Sequence, residues 1–251
     1  MHQTPTTKLK NLKANLKQMQ SALIAYSGGT DSAFLIKVAH DTLKNKPIAV
    51  TVSSSLLPEK ELKEAKDLAK EIGIKHIIIK KEITEKIRKN SGNRCYFCKK
   101  EIYKELKKLA EKHKIENILD GTNFDDTKTS RPGIKAVEEL KIKTPIKDVK
   151  LTKRDIRHLS RKMNLKTHDK PSYSCLATRI SEGEEITEEK LKKIEKAENI
   201  IRNFGIKDLH VRYKDNAAKI ETEKKYTPII EKNSEKIIQE FKKLRFSEVK
   251  W

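Results

Sequence analysis

Short apolar runs alternate with charged segments of helical period through the first two thirds of the chain. SALIAYS (residues 21–27) reads as a buried strand, followed by a helix from Asp31 to about Leu43. PIAVTVS (47–53) reads as the next strand, and the stretch from Glu59 to about Ile72 as the helix after it. KHIIIK (75–80), a charged helix from near Cys98 to His113, and ENILDGT (116–122) continue the pattern. This succession predicts an α/β fold, a parallel sheet with helices on both faces. After about Lys170 the pattern changes. ITEEKLKKIEKAENIIRNFG (186–205) is an amphipathic helix with Thr187 as its cap and Gly205 as its stop. DLHVRYKDNAAKIETE (208–223) alternates sides around Asp215-Asn216 and predicts a hairpin, and the remainder predicts one more helix. The expected organisation is a sheet domain over residues 1–170 and a small α+β domain over residues 171–251. No internal repeat or low-complexity linker interrupts it.

Ligands of parallel sheets bind at the carboxyl ends of strands. SGGTDS (27–32) and DGTNFDD (120–126) both sit at such ends and are expected to converge. In the stretch from Ala25 to Phe34, Gly28 and Gly29 let backbone N–H groups approach an anion, and the following helix N-terminus adds partial positive charge. Ser27, Thr30 and Ser32 offer hydroxyl donors around this phosphate cradle. Asp31 would repel phosphate unless a magnesium ion lies between them. The loop lacks the glycine-lysine pattern of the Walker motif.

Charge bears on the partner. The 251 residues carry 57 Lys and Arg against 36 Asp and Glu, a net +21 that suits an anionic ligand. Yet the lysines are spread through mixed-sign runs such as EKELKEAKDLAKEIGIK, as on solvated helix faces, and aromatics at 5% give few platforms for stacking bases. A nucleic-acid partner is therefore not the leading expectation, though it stays open. No apolar run approaches the ~18 residues of a membrane span, and the N-terminus lacks a secretion-type apolar stretch, so a cytoplasmic protein without a membrane partner is expected.

Three cysteines fit a reducing compartment better than a disulfide framework. Cys95 and Cys98 fall at the start of a predicted helix beside Arg94, Lys99 and Lys100, cations expected to favour thiolate. With Cys175 they could bind a [4Fe–4S] cluster and leave one iron open. Zinc completed by a histidine, a redox disulfide, and a Cys-x-x-Cys pair unconnected with Cys175 are the other readings.

SGGTDS between strand and helix resembles the loop of the PP-loop ATP pyrophosphatases, an adenine nucleotide alpha hydrolase-like fold. The resemblance implies ATP and Mg²⁺ as cofactors and adenylation of a substrate oxygen. It places nucleotide contacts at Ala25, Ser27, Gly28, Gly29, Thr30, Asp31, Ser32, Ser53, Gly121 and Thr122, with adenine held near Ser53. RCYFCK, DGTNFDD, RPG (131–133), LTKRDIRHLS and PSYSCLATRI follow in an order similar to that of the LarE family, the sulfur transferases of nickel-pincer nucleotide cofactor biosynthesis. That likeness runs from Ser21 to about Glu223. It implies adenylation of a carboxylate of pyridinium-3,5-biscarboxylic acid mononucleotide and its conversion to a thiocarboxylate. Asp31 and Cys175 become the candidate catalytic residues, and Cys95, Cys98 and Cys175 the ligands of a [4Fe–4S] cluster carrying sulfide from a sulfur donor. In relatives without the Cys-x-x-Cys pair the counterpart of Cys175 gives up its own sulfur.

Arg179, Arg212 and Lys219 become candidate contacts to substrate phosphate and carboxylate, although Lys219 stands where the family usually has arginine. Asp125 and Asp126 are candidate magnesium ligands or caps of the following turn. A homo-oligomer is implied as well. The alternatives are a tRNA thiolase using the same cluster chemistry and a non-enzymatic, zinc-stapled nucleotide-binding module.

Overall fold

The computed structural model describes residues 3–128, 132–171 and 174–251. Arg131 of the RPG motif, and Ser172 and Tyr173 before Cys175, lie outside the described residues. Along the chain the elements are α1 (Pro5–Lys17), β1 (Leu23–Ala25), α2 (Thr30–Thr42), β2 (Ile48–Ser53), α3 (Glu59–Ile72), β3 (Lys75–Lys80), α4 (Glu85–Arg88), α5 (Arg94–Lys112) and β4 (Ile118–Leu119). They continue with α6 (Pro132–Glu139), α7 (Pro145–Asp148), α8 (Lys153–Lys162), α9 (Glu188–Arg202), β5 (Leu209–Lys214), β6 (Ala217–Thr222), α10 (Thr227–Lys232), α11 (Ser234–Lys243) and β7 (Glu248–Lys250).

By internal contacts the chain divides into two compact units. One comprises Met1–Ser54, Glu59–Lys81 and Cys95–Tyr173; the other comprises Ser55–Pro58, Glu82–Arg94 and Ser174–Trp251. Two short segments from the N-terminal half thus cluster with the C-terminal residues, an interleaving that hydrophobic periodicity does not register.

The first unit is built on a parallel sheet of order β3-β2-β1-β4. β1 pairs with β2 through Leu23↔Ile48 and Ala25↔Val50, and with β4 through Leu23↔Ile118. Successive side chains of β1 enter opposite cores. Ile24 packs with Leu12, Leu16, Phe34, Leu35, Ala65, Ile156 and Leu159. Leu23 packs with Tyr103, Leu106, Ala110 and Val137 on the other face. Burying each leucine, isoleucine, valine or phenylalanine among them contributes about 1.5–3 kcal/mol. β1 is flanked by β2 on one side and β4 on the other, so the connections leaving β1 and β4 diverge and open a crevice at their carboxyl ends.

Local chemistry sets several boundaries. Thr152 and Asp155 form a reciprocal capping box that starts α8. Helix α5 begins at Arg94, whose N–H donates to Ser91 O at 2.8 Å, so it starts earlier than periodicity suggests and places both cysteines in its first turns.

In the second unit, β5 and β6 form an antiparallel hairpin in which Arg212 faces Lys219. Its turn residues Asp215 and Asn216 have φ of 47° and 65°, the left-handed geometry that a two-residue hairpin turn requires. The single final helix expected from the sequence is two, α10 and α11, separated at Asn233 and followed by β7, which pairs parallel to β6. Only three residues long and with a partly buried centre, β7 gives too short an alternation to be read in advance. Among the described residues, no helix is long and apolar enough to cross a membrane.

Candidate active site

The N–H of Tyr26 donates to Val50 O at 2.8 Å, the last link to the ladder before the chain leaves β1. It turns at Gly28, where φ is +77° and a Cβ would lie 3.0 Å from Ala65 Cβ; glycine satisfies both the conformation and the space. Gly29 is the N-cap of α2. Ser32 Oγ donates to Gly29 O at 3.1 Å and accepts from Ser27 N at 3.3 Å, and the two serine hydroxyls lie 3.1 Å apart. Thr30 departs from expectation. Its buried hydroxyl donates to Thr167 O at 3.0 Å and so secures the loop to the segment after α8 instead of pointing at a ligand.

Asp31, in the first turn of α2, receives Lys153 Nζ at 2.7 Å and Asn123 Nδ2 at 3.4 Å, both on Oδ2. Its Oδ1 is buried and has no hydrogen-bond partner among the described residues. Burial raises the Asp31 pKa, with Asp126 adding to the effect and Lys153 opposing it. A buried carboxylate oxygen with free lone pairs, beside a cradle of N–H groups, fits a divalent cation that would accompany phosphate.

The end of β4 closes the other side of the crevice. A Cβ on Gly121 would lie 3.0 Å from Ser32 N and 3.1 Å from Ser32 Cα, so glycine lets this strand end meet the start of α2 without displacing its backbone. Thr122 is fixed by Asp120, whose Oδ1 accepts from both its N–H and its hydroxyl. Asp120 Oδ2 accepts Tyr103 OH at 2.6 Å and Lys99 Nζ at 3.4 Å. Burial by itself would raise this carboxyl, but Lys99, Thr122 and Tyr103 together hold it below the usual aspartate value. Asp125 accepts Lys153 N at 2.8 Å and pairs with Lys128, while Asp126 accepts Asn123 N at 3.0 Å. These are turn-capping contacts, one of the two roles open to the pair. Ser53 ends β2 beside Lys80, and its carbonyl accepts Lys81 N at 2.9 Å.

Cys95 is exposed and Cys98 half-buried, three residues apart on one side of α5. The cations beside them have other partners. Lys99 reaches Asp120, Lys100 reaches Glu139 at 2.6 Å, and Arg94 donates to Asn90 Oδ1 and Ala177 O. Each of the three sequence neighbours is thus held by a partner of its own near the start of α5. In neither unit do the described residues gather three or more His, Cys, Asp or Glu side chains into a metal-binding group.

In the second unit, half-buried Cys175 is the N-cap of a short 3₁₀ turn, Leu176–Arg179. Arg179, expected as a substrate-facing cation, is 1% exposed. Its Nε donates to Glu198 at 2.9 Å, and its Nη1 donates to Ser174 O at 2.7 Å, Thr178 Oγ1 at 2.8 Å and Cys175 O at 3.3 Å. The guanidinium therefore wraps the cysteine loop from inside. Arg212 pairs with Glu221 at 2.7 Å and donates to Thr178 O at 2.6 Å, while Lys219 lies 3.6 Å from the same glutamate with its side chain largely in solvent.

Lys153 and Asn123 escaped sequence reading. The one usable signal was Lys153 at the first position of a capped helix in LTKRDIRHLS. Its partner is 122 residues away, beyond any local pattern.

A glycine turn at the carboxyl end of a parallel strand, a helix N-terminus, and an aspartate oxygen without a partner among the described residues form an α/β crevice whose chemistry suits the phosphates of a nucleotide. Residues 1–130 match the family model of the PP-loop domain; the chain belongs to this family and is an ATP-dependent enzyme. It is 40% identical over 218 residues to an uncharacterized protein of Synechocystis sp., covering 86% of this chain and 81% of that one. It is 36% identical over 245 residues to an uncharacterized protein of Methanocaldococcus jannaschii, covering 96% and 94%. It is 29% identical over 221 residues, 87% of this chain and 80% of the relative, to the pyridinium-3,5-bisthiocarboxylic acid mononucleotide synthase of Lactiplantibacillus plantarum, a LarE-type protein.

Proposed function

We propose that this enzyme is a sulfur transferase that adenylates a carboxylate of pyridinium-3,5-biscarboxylic acid mononucleotide and replaces the activated oxygen with sulfur. The observation that carries the reading is the loop from Ser27 to Ser32, with Asp31 Oδ1 left without a partner among the described residues, in a chain similar along most of its length to a synthase of the bisthiocarboxylic product. N–H groups at the start of α2 hold the triphosphate, Ser53 lies by the adenine, and Gly121 and Thr122 close the crevice. Asp31, beside Asn123, is the residue that would hold Mg²⁺, which when bound screens the phosphate charge. The substrate carboxylate attacks the α-phosphorus, pyrophosphate leaves, and an acyl adenylate results. A sulfur nucleophile then attacks the acyl carbon and AMP leaves.

Cys95, Cys98 and Cys175 supply the three thiolates with which a [4Fe–4S] cluster would be held; such a cluster offers an open iron for sulfide. Arg212 and Lys219 are the accessible cations for substrate phosphate and carboxylate, with Glu221 as the counter-charge that the substrate replaces.

ATP–pyrophosphate exchange tests the first half. Exchange should require the biscarboxylate nucleotide, and Cys175→Ser should keep exchange while abolishing the thiocarboxylate seen by mass spectrometry. Exchange with no response to that nucleotide, or thiolation of tRNA in its place, would sink the proposal. Iron and sulfide analysis after anaerobic purification tests the donor set: both should be present and both lost in Cys95→Ala, whereas zinc without iron excludes the cluster.

A further inference from the structure

The phosphate loop is tied from behind by a segment that the proposed chemistry does not use. Residues 167–170 follow α8 and meet the loop twice. Thr30 donates its hydroxyl to Thr167 O, and Lys170 Nζ reaches Gly28 O at 3.3 Å. The segment is itself fixed: Arg157 donates to His168 O at 2.9 Å and to Lys170 O at 2.6 Å. Lys170 is nearly buried and lies between two carboxylates of α3, Glu61 at 2.7 Å and Glu64 at 2.8 Å. Burial would lower its pKa, but the two glutamates outweigh it and keep the ammonium above its ordinary value.

In a trans peptide the carbonyl and the following N–H point in opposite directions. The Gly28 carbonyl and the Gly29 N–H belong to one such unit. Fixing the oxygen on Lys170 turns the Gly29 N–H the other way, toward the loop interior, where its present contact is a long 3.4 Å to Ser27 Oγ. At Gly28 the backbone lacks the steric preference that a Cβ would impose, so this peptide needs an external restraint.

We infer that Lys170 is a positioning residue of the nucleotide site: through the Gly28 carbonyl it presets the Gly29 N–H to receive phosphate, with Glu61 and Glu64 holding the ammonium in place. This role rests on the loop being the ATP phosphate site. It concerns the phosphates and not the base, which decides how it is tested.

Calorimetric titration of the full-length protein with Mg–ATP and, separately, with adenosine distinguishes the outcomes. For Lys170→Met, ATP affinity should fall about tenfold or more, the scale of losing a charge-assisted hydrogen bond, while adenosine affinity stays within about twofold of wild type. Lys170→Arg keeps the charge and should recover most of the ATP affinity. In steady state the loss should fall on KM for ATP more than on kcat. Equal weakening of ATP and adenosine would mean general damage and overturn the inference, as would unchanged ATP affinity in Lys170→Met. A wild-type protein that binds no ATP would instead overturn the reading of the loop itself, and this inference with it.

Discussion

Each unit places a carboxylate against a cation, and the two are finished differently. Asp31 and Lys153 meet at 2.7 Å with about a quarter of each side chain in solvent, and one aspartate oxygen has no partner among the described residues. Glu198 and Arg179 meet at 2.9 Å with both side chains 1% exposed, and both oxygens of the glutamate are taken: Oε1 by Arg179 and Val211 N, Oε2 by Arg202. The first pair has capacity left over, whereas the second has none. On the proposed function, the charge that meets a ligand keeps an open valence at the surface of a crevice. A charge that must hold a loop is closed on every side. By this criterion Arg179, suggested by family likeness as a hand for the substrate, acts as the frame of the Cys175 loop, while the partly exposed Arg212 remains able to reach a ligand.

The contrast can be broken most forcefully at the sealed pair. Arg179→Met leaves Glu198 buried without its main counter-charge and should destabilise the protein by about 3–5 kcal/mol, read as a shift in urea midpoint, with Arg179→Lys recovering part of it. A stable Arg179→Met protein with a defect confined to substrate affinity would return Arg179 to the substrate.

At the open pair the expected effect has the opposite character. Asp31→Asn should cost activity roughly a hundredfold or more, the scale of removing a group that stabilises transition-state charge, without lowering stability at neutral pH. Folded Asp31 holds its proton more tightly than the unfolded chain does. Its contribution therefore favours the native state below the ordinary aspartate pKa and is lost as pH rises through the raised folded value. Asparagine removes that loss, so Asp31→Asn should gain relative stability as pH rises across this window and show no such gain in acid. A variant less stable than wild type at pH 7 but not at pH 3 would contradict the sign. The acid limb of kcat/KM should lie above the ordinary aspartate range for the same reason.

Geometry at the crevice gives a smaller effect. Gly121→Ala sets a methyl 3.0 Å from the backbone nitrogen of Ser32 and should cost about 1–3 kcal/mol of stability, with a raised KM for ATP. Smallest is Lys219→Ala. With its side chain 63% exposed, its effect on stability should stay within about 0.5 kcal/mol; a rise in KM for the pyridinium nucleotide alone would support its role.

What could be read in the sequence divides along the same line. The phosphate loop is legible because its chemistry is local: Gly28, Gly29 and Asp31 lie within four residues, and the strand before and helix after announce themselves by period. The four strands of the parallel sheet were legible for the same reason. The finishing contacts were not. Lys153 meets Asp31 across 122 residues, Lys170 meets Glu64 across 106, and Glu198 meets Arg179 across 19. Each looks like one more surface charge in a chain with 57 basic residues, and only packing selects it. The same abundance explains Lys99 and Lys100, neighbours of a thiol in sequence that are directed at Asp120 and Glu139 in space.

Glu198 joins helix α9, the amide of Val211 in β5 and the turn that carries Cys175. None of these can settle alone without leaving a bare charge in an apolar interior. The small unit is therefore expected to open as a whole and not by fraying, and the Val211 amide should exchange with deuterium at the rate of complete unfolding. The cysteine loop, surface chemistry though it is, would then inherit the kinetic lifetime of the core beneath it.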